Sequence, residues 1–139
     1  GEKEIINASK KDKRIIYLGP LTKNDALKLQ SKATLLVNPR SDKYDFTKYS
    51  FPSKIMEYLA SGRPTICHKL SGISKEYDDY LYYFKNDDTK TMAKDLIKIC
   101  NLDEEILYKK GQDGKNFVLN YKNVHIFGEK IKKLVTLKP

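Results

Sequence analysis

The sequence predicts an α/β domain, a parallel sheet covered by helices on both faces. Short, solid apolar runs occur at Ile15-Ile16-Tyr17-Leu18, Leu35-Leu36-Val37, Thr65-Ile66-Cys67 and Tyr80 to Phe84. They do not alternate with polar residues, as half-exposed strands would, and so read as strands buried on both sides. Between them lie stretches with helical periodicity, which supply the crossovers that parallel strands require. Turn residues close the runs at Gly19-Pro20, Asn38-Pro39 and Gly62-Arg63-Pro64, where glycine and proline end regular structure. Four parallel strands are expected at 15–18, 34–38, 64–67 and 80–84.

The elements follow in order. Residues 1–14 read as the tail of a helix. After the first strand, Thr22 caps a helix whose Ala26, Leu27, Leu29 and Gln30 lead to Ala33. The second strand stops at Asn38-Pro39. The polar stretch from Arg40 to Ser50 is long for a connection, which favours a functional loop. Ser50 is a candidate N-cap for the next helix and Pro52 suits its first turn. Ile55, Met56, Leu59 and Ala60 form the apolar stripe of that helix. Gly62 is placed for a left-handed C-terminal residue, and Pro64 forbids continuation. Beyond the fourth strand, Met92, Ala93, Leu96 and Ile97 mark a helix. Another spans Asp103 to Leu119, interrupted by Gly111 and Gly114. In the last helix Val124, Phe127, Ile131 and Leu134 recur in period.

The 139 residues suit one domain, and 40% hydrophobic residues exclude a disordered tail. No apolar run reaches the roughly 18 residues of a membrane span. The chain opens Gly1-Glu2-Lys3-Glu4, without Met or a signal peptide. It is therefore expected to be an internal or C-terminal piece of a longer protein. The net charge is +9, but 24 of the 27 basic residues are Lys. They are spread along the chain rather than gathered in the Arg-rich stripe that reads nucleic acid, so no nucleic-acid partner is expected. Cys67 and Cys100 end apolar runs and read as reduced, buried thiols. Neither they nor His68 and His125 have partners at metal-ligand spacing, and no metal is expected.

A doubly wound sheet binds ligands at the carboxyl ends of its strands, where helix N-termini offer free N–H groups to anions. The candidate anion site is therefore where the 40–53 loop enters the helix at Ser53. Within this frame the residues resemble a known family. Tyr17-Leu18-Gly19, then Leu35-Leu36-Val37-Asn38-Pro39, then Phe51-Pro52-Ser53-Lys54 through Glu57-Tyr58-Leu59-Ala60-Ser61-Gly62-Arg63-Pro64-Thr65-Ile66 look like the C-terminal half of a GT-B glycosyltransferase. The group 1 (family 4) retaining enzymes of bacterial surface-polysaccharide biosynthesis are the narrower likeness. Gly72-Ile73-Ser74-Lys75-Glu76-Tyr77 continues it.

The resemblance implies a Rossmann-like domain over residues 1–139, the nucleotide-sugar-binding part of a larger glycosyltransferase, without the first strands of that domain. It implies transfer of a hexosyl group from a nucleotide-sugar such as a UDP-sugar to a glycan or lipid-linked acceptor, which the absent N-terminal domain would hold. It implies no cofactor and no metal ion, and a cytoplasmic enzyme. Contact with the inner face of the membrane is a further reading of the Lys-rich last helix, with Lys130, Lys132 and Lys133. In the family, the second Glu of a Glu-x7-Glu motif receives the ribose hydroxyls, and Glu57 occupies that position. The first Glu is replaced by Tyr49. Tyr49, Ser50, Phe51, Pro52, Ser53 and Lys54 are thereby expected around the sugar and diphosphate. Arg40 is a candidate phosphate ligand, and Gly19 and Pro20 offer main-chain groups to the base. The alternative is a non-catalytic nucleotide- or carbohydrate-pathway module on the same sheet. The isolated chain, lacking the family's Gly-rich phosphate turn, is expected to be inactive.

Overall fold

The central strand is buried on both faces: Thr65, Ile66 and Cys67 are at most 2% exposed. The computed structural model describes residues 1–41 and 51–136. Its described elements are α1 (Glu2–Lys11), α2 (Lys23–Lys32), β1 (Leu36–Asn38), α3 (Ser53–Ala60), β2 (Thr65–Cys67), a 3₁₀ helix (Lys75–Tyr80), β3 (Tyr82–Tyr83), α4 (Thr89–Cys100), α5 (Glu104–Tyr121) and α6 (Val124–Thr136). The strands form a parallel sheet in the order β1-β2-β3. Val37 pairs with Ile66, and Ile66 with Tyr82, so one register row crosses the sheet. The expected α/β architecture is present.

Because side chains alternate across a strand, Ile66 and Cys67 serve different layers. On one face Cys67 joins Ile55 and Leu59 of α3, Tyr77 of the 3₁₀ helix and Phe117 and Val118 of α5. On the other, Ile66 packs with Phe84, Ile99 of α4 and Leu107 of α5. Helices therefore cover both faces, and each fully buried Ile or Leu contributes about 1.5–3 kcal/mol. The aromatic wall of the first layer is ordered by ring contacts. Phe117 stacks on Tyr80 at 4.4 Å and meets Tyr77 edge-on at 5.1 Å.

Several expectations from the sequence change here. Ile15–Leu18 is not a strand: it has no ladder partner among the described residues, and Ile16 is 74% exposed. An apolar run becomes a strand only beside a neighbour that accepts its hydrogen bonds. The second, third and fourth strands are found, shortened to β1, β2 and β3. Pro52 is the N-cap of α3 rather than a first-turn residue. Ser50 and Tyr49 lie outside the described residues. Cys67 is buried, but Cys100 is exposed at the end of α4, and both are free thiols.

Gly111 and Gly114 do not interrupt α5, which runs unbroken from Glu104 to Tyr121. They are where other chain segments press against it. A Cβ on Gly111 would meet the Gly62 and Arg63 backbone, and one on Gly114 would strike Leu59 at 2.7 Å. Gly62, as expected, ends α3 with φ of +78°, a conformation glycine adopts without penalty. Among the described residues, no helix is long and apolar enough to cross a membrane.

Candidate functional site at the carboxyl edge of the sheet

Pro39, Arg40 and Ser41 leave β1 at the carboxyl end of the sheet, and Phe51 and Pro52 lead into α3. Because α3 connects two parallel strands, it runs back against them and its N-terminus opens at that same edge. Among the described residues no side chain caps this N-terminus; of the first-turn N–H groups, that of Ile55 donates to the Pro52 carbonyl at 2.9 Å, which leaves those of Ser53 and Lys54 for an anion. Phe51 lies against the core, 5.0 Å from the Tyr77 ring. It is half-buried there, whereas Ser53 and Lys54 are exposed at the helix start.

Glu57 lies one turn further along α3 and is fixed by two donors. Gln30 of α2 donates through Nε2 to Glu57 Oε1 at 2.6 Å. Lys54 donates to the same oxygen at 2.9 Å. Among the described residues, Oε2 accepts no hydrogen bond, and the side chain keeps 30% of its exposure. The Lys54 contact and then the Gln30 contact hold the Glu57 carboxyl below the usual range, against a smaller opposing effect of burial. It is a carboxylate held through Oε1, half-buried, with Oε2 left without a donor among the described residues.

Gly19 sits in a left-handed turn, φ +66°, just before α2, which carries Gln30. Thr22 caps α2 by accepting from the Asp25 N–H at 3.2 Å, as expected. Gly19-Pro20 thus leads into α2, and among the described residues no hydrogen bond ties either residue to α3. Arg40 follows β1, its backbone N–H bonded to the Asn38 side chain at 3.2 Å.

Three residues at the same edge were not anticipated. Asp87, in the loop after β3, accepts from Ser41 Oγ at 2.8 Å and lies 3.2 Å from His68 Nε2. It joins the exits of β1 and β2 to that of β3. His68 is 8% exposed and packs 5.0 Å from the Phe84 ring. His68, Phe84 and Asp87, with Lys69, Lys85 and Asn86, line a cavity of about 310 Å³. A larger cavity of about 440 Å³ lies at the opposite, amino edge, between Thr34, Arg63, Pro64, Cys100 and Tyr108. Open α/β sheets bind at the carboxyl edge, so size does not make the amino-edge cavity the site. Neither Gln30 nor Asp87 carries a local motif; each meets its partner through the fold, Gln30 across 27 residues and Asp87 across 46 to Ser41. No cluster of three metal-ligating side chains occurs among the described residues.

The fold defines the class: an open parallel α/β domain in which helix α3 begins at the carboxyl edge of the sheet. The family model described as glycosyl transferases group 1 matches residues 1–101 of the 139. The chain belongs to that family, whose members transfer glycosyl groups. No curated protein and no solved structure gives a match.

Proposed function

We propose that this chain is the donor-binding domain of a retaining, metal-independent GT-B glycosyltransferase of the hexosyltransferase type. It takes a nucleotide-sugar, a UDP-sugar in the first instance, and serves transfer to a glycan or lipid-linked acceptor held by another domain. The observation that carries this reading is Glu57, a carboxylate held through Oε1 whose Oε2 accepts no bond among the described residues, one turn behind a helix N-terminus that no described side chain caps. In this arrangement the ribose hydroxyls donate to Glu57. The diphosphate lies against the first-turn amides of Ser53 and Lys54, with Arg40 and the Lys54 ammonium at hand. Gly19 and Pro20 meet the base, and Tyr49, Ser50 and Phe51 line the sugar.

Catalysis at such a site is chiefly stabilisation of the departing diphosphate. Preorganised amides and cations hold charge as the glycosidic bond to phosphate breaks, and they need little reorganisation to do so. The helix dipole adds about 0.3–1 kcal/mol. A cytoplasmic enzyme of bacterial polysaccharide synthesis suits this chemistry. Contact with the inner face of the membrane would run through α6, where Phe127, Ile131 and Leu134 are exposed beside Lys130, Lys132 and Lys133.

The test is Glu57→Gln in the full-length protein, titrated with UDP and with 2′,3′-dideoxy-UDP. UDP binding should weaken by about 1.5–3 kcal/mol if a charge-assisted hydrogen bond is lost, and the dideoxy analogue far less. Equal losses for the two ligands, or none, would refute ribose recognition by Glu57.

A further inference from the structure

Glu57 belongs to α3, but the carboxylate is not oriented by α3 alone. Lys54, its neighbour on the same helix, is a flexible and exposed partner, with 57% of its side-chain surface open. Such a contact, three residues away on a helix surface, fixes geometry weakly. Gln30 differs in each respect. It comes from α2, is partly buried, and reaches Glu57 Oε1 at 2.6 Å.

The orientation of the Gln30 amide is dictated by chemistry. An ionised carboxylate only accepts, so the amide must present its NH₂ to Glu57. Its carbonyl oxygen is then turned inward, buried, with no donor among the described residues. A buried acceptor without a partner is uncommon and calls for a reason. Here the amide serves the carboxylate in preference to its own second hydrogen bond. The contact also crosses between elements, since α2 follows directly on the Gly19-Pro20 turn. One bond therefore fixes the carboxylate of α3 relative to the segment assigned to the base.

We propose that Gln30 is a positioning residue for donor recognition: by holding Oε1 of Glu57 it aims Oε2 at the ribose hydroxyls and sets the spacing between ribose and base contacts. This rests on the reading of Glu57 as the ribose acceptor. Gln30 itself does not touch the ligand. Its loss should appear only where the ribose hydroxyls are present.

The test uses Gln30→Met, which keeps length and volume but removes the donor, with Glu57→Gln and the double variant, all in the full-length protein. UDP and 2′,3′-dideoxy-UDP are the probes, read by calorimetry. Gln30→Met should weaken UDP binding about three- to tenfold, the range expected for one hydrogen bond, and the dideoxy analogue less than twofold. The double variant should bind UDP no more weakly than Glu57→Gln alone, because the two act through one carboxylate. The pH dependence gives a readout that packing would not move. Lys54, Gln30 and Lys23 are the groups that favour the ionised form of Glu57. Removing Gln30 should shift the acid limb of UDP binding to higher pH, while Gln30→Glu, a like charge, should shift it further. A selective effect of Glu57→Gln with no selective effect of Gln30→Met overturns the positioning role alone. An unselective Glu57→Gln overturns the ribose reading and the role of Gln30 with it. Equal losses for both probes in Gln30→Met, with an unmoved pH limb, would make Gln30 a packing residue.

Discussion

Replacing Gly111 with Ala would drive a methyl group into the turn that joins α3 to β2. A Cβ there stands 2.9 Å from the carbonyl carbons of Gly62 and Arg63 and overlaps the Gly62 carbonyl oxygen. These are backbone atoms, held by the left-handed Gly62 and followed by Pro64, so no side chain can swing aside. Helix α5 must retreat, which strains the Gln112 Nε2 bond to the Gly62 carbonyl, 3.0 Å long, and loosens Phe117 and Val118 from the core. Overpacking of this kind costs about 1–3 kcal/mol. Alanine regains about 0.8–1 kcal/mol of helix propensity over glycine. With only backbone atoms on the receiving side the overpacking cost falls in the upper half of its range, about 2–3 kcal/mol, and the expected net loss is about 1–2 kcal/mol. Gly128 in α6 is the control: a Cβ there meets nothing within 4 Å, and Gly128→Ala should stabilise by up to about 1 kcal/mol. Urea unfolding read at equal slope measures both. A Gly111→Ala protein as stable as the wild type, or more stable, would refute the close approach of α5 to the turn.

Two further outcomes are expected. Burial pushes the Cys67 thiol up to about 12, whereas Cys100 is exposed; a thiol-specific disulfide reagent at pH 8 should therefore titrate one cysteine in the folded protein and two in denaturant. The carboxyls of Glu57, Glu76 and Asp78 are lowered, chiefly by hydrogen bonds from Lys54, Lys122 and Lys69 respectively. A lowered folded-state value means that the contribution is present above the unfolded values, 4.5 for Glu and 3.8 for Asp, and is lost as pH falls through the lower folded ones. Thermal midpoints should hold down to about pH 5 and decline below it; midpoints that rise on acidification would contradict these pairings.

What could be read from the sequence was local chemistry. Thr22, Gly62 and Pro64 act within a few residues of themselves, and the structure uses each as expected. The solid runs around Val37, Ile66 and Tyr82 became strands because each found a neighbour in register. Ile15–Leu18 is just as apolar and has no ladder partner among the described residues. Strand formation depends on a partner that composition does not reveal. The glycines of α5 misled for a related reason. Glycine in a helix can mark a weak point or a close approach, and only the position of the α3–β2 turn decides between them. Glu57 was visible through its motif. The donor that orients it was not, because Gln30 is an ordinary helix residue until α2 is laid beside α3. The same holds for Asp87, whose partners Ser41 and His68 come from two other strand exits.

The central claim is that the nucleotide binds at the carboxyl edge of the sheet, on the start of α3. Residue-resolved NMR of the full-length protein during a UDP titration tests it most directly. The amides of Ser53, Lys54 and Glu57, the turn at Gly19 and the Gln30 side-chain NH₂ should shift together along one saturation curve. Saturable shifts confined to Thr34, Arg63, Cys100 and Tyr108, around the larger cavity at the amino edge, would contradict it.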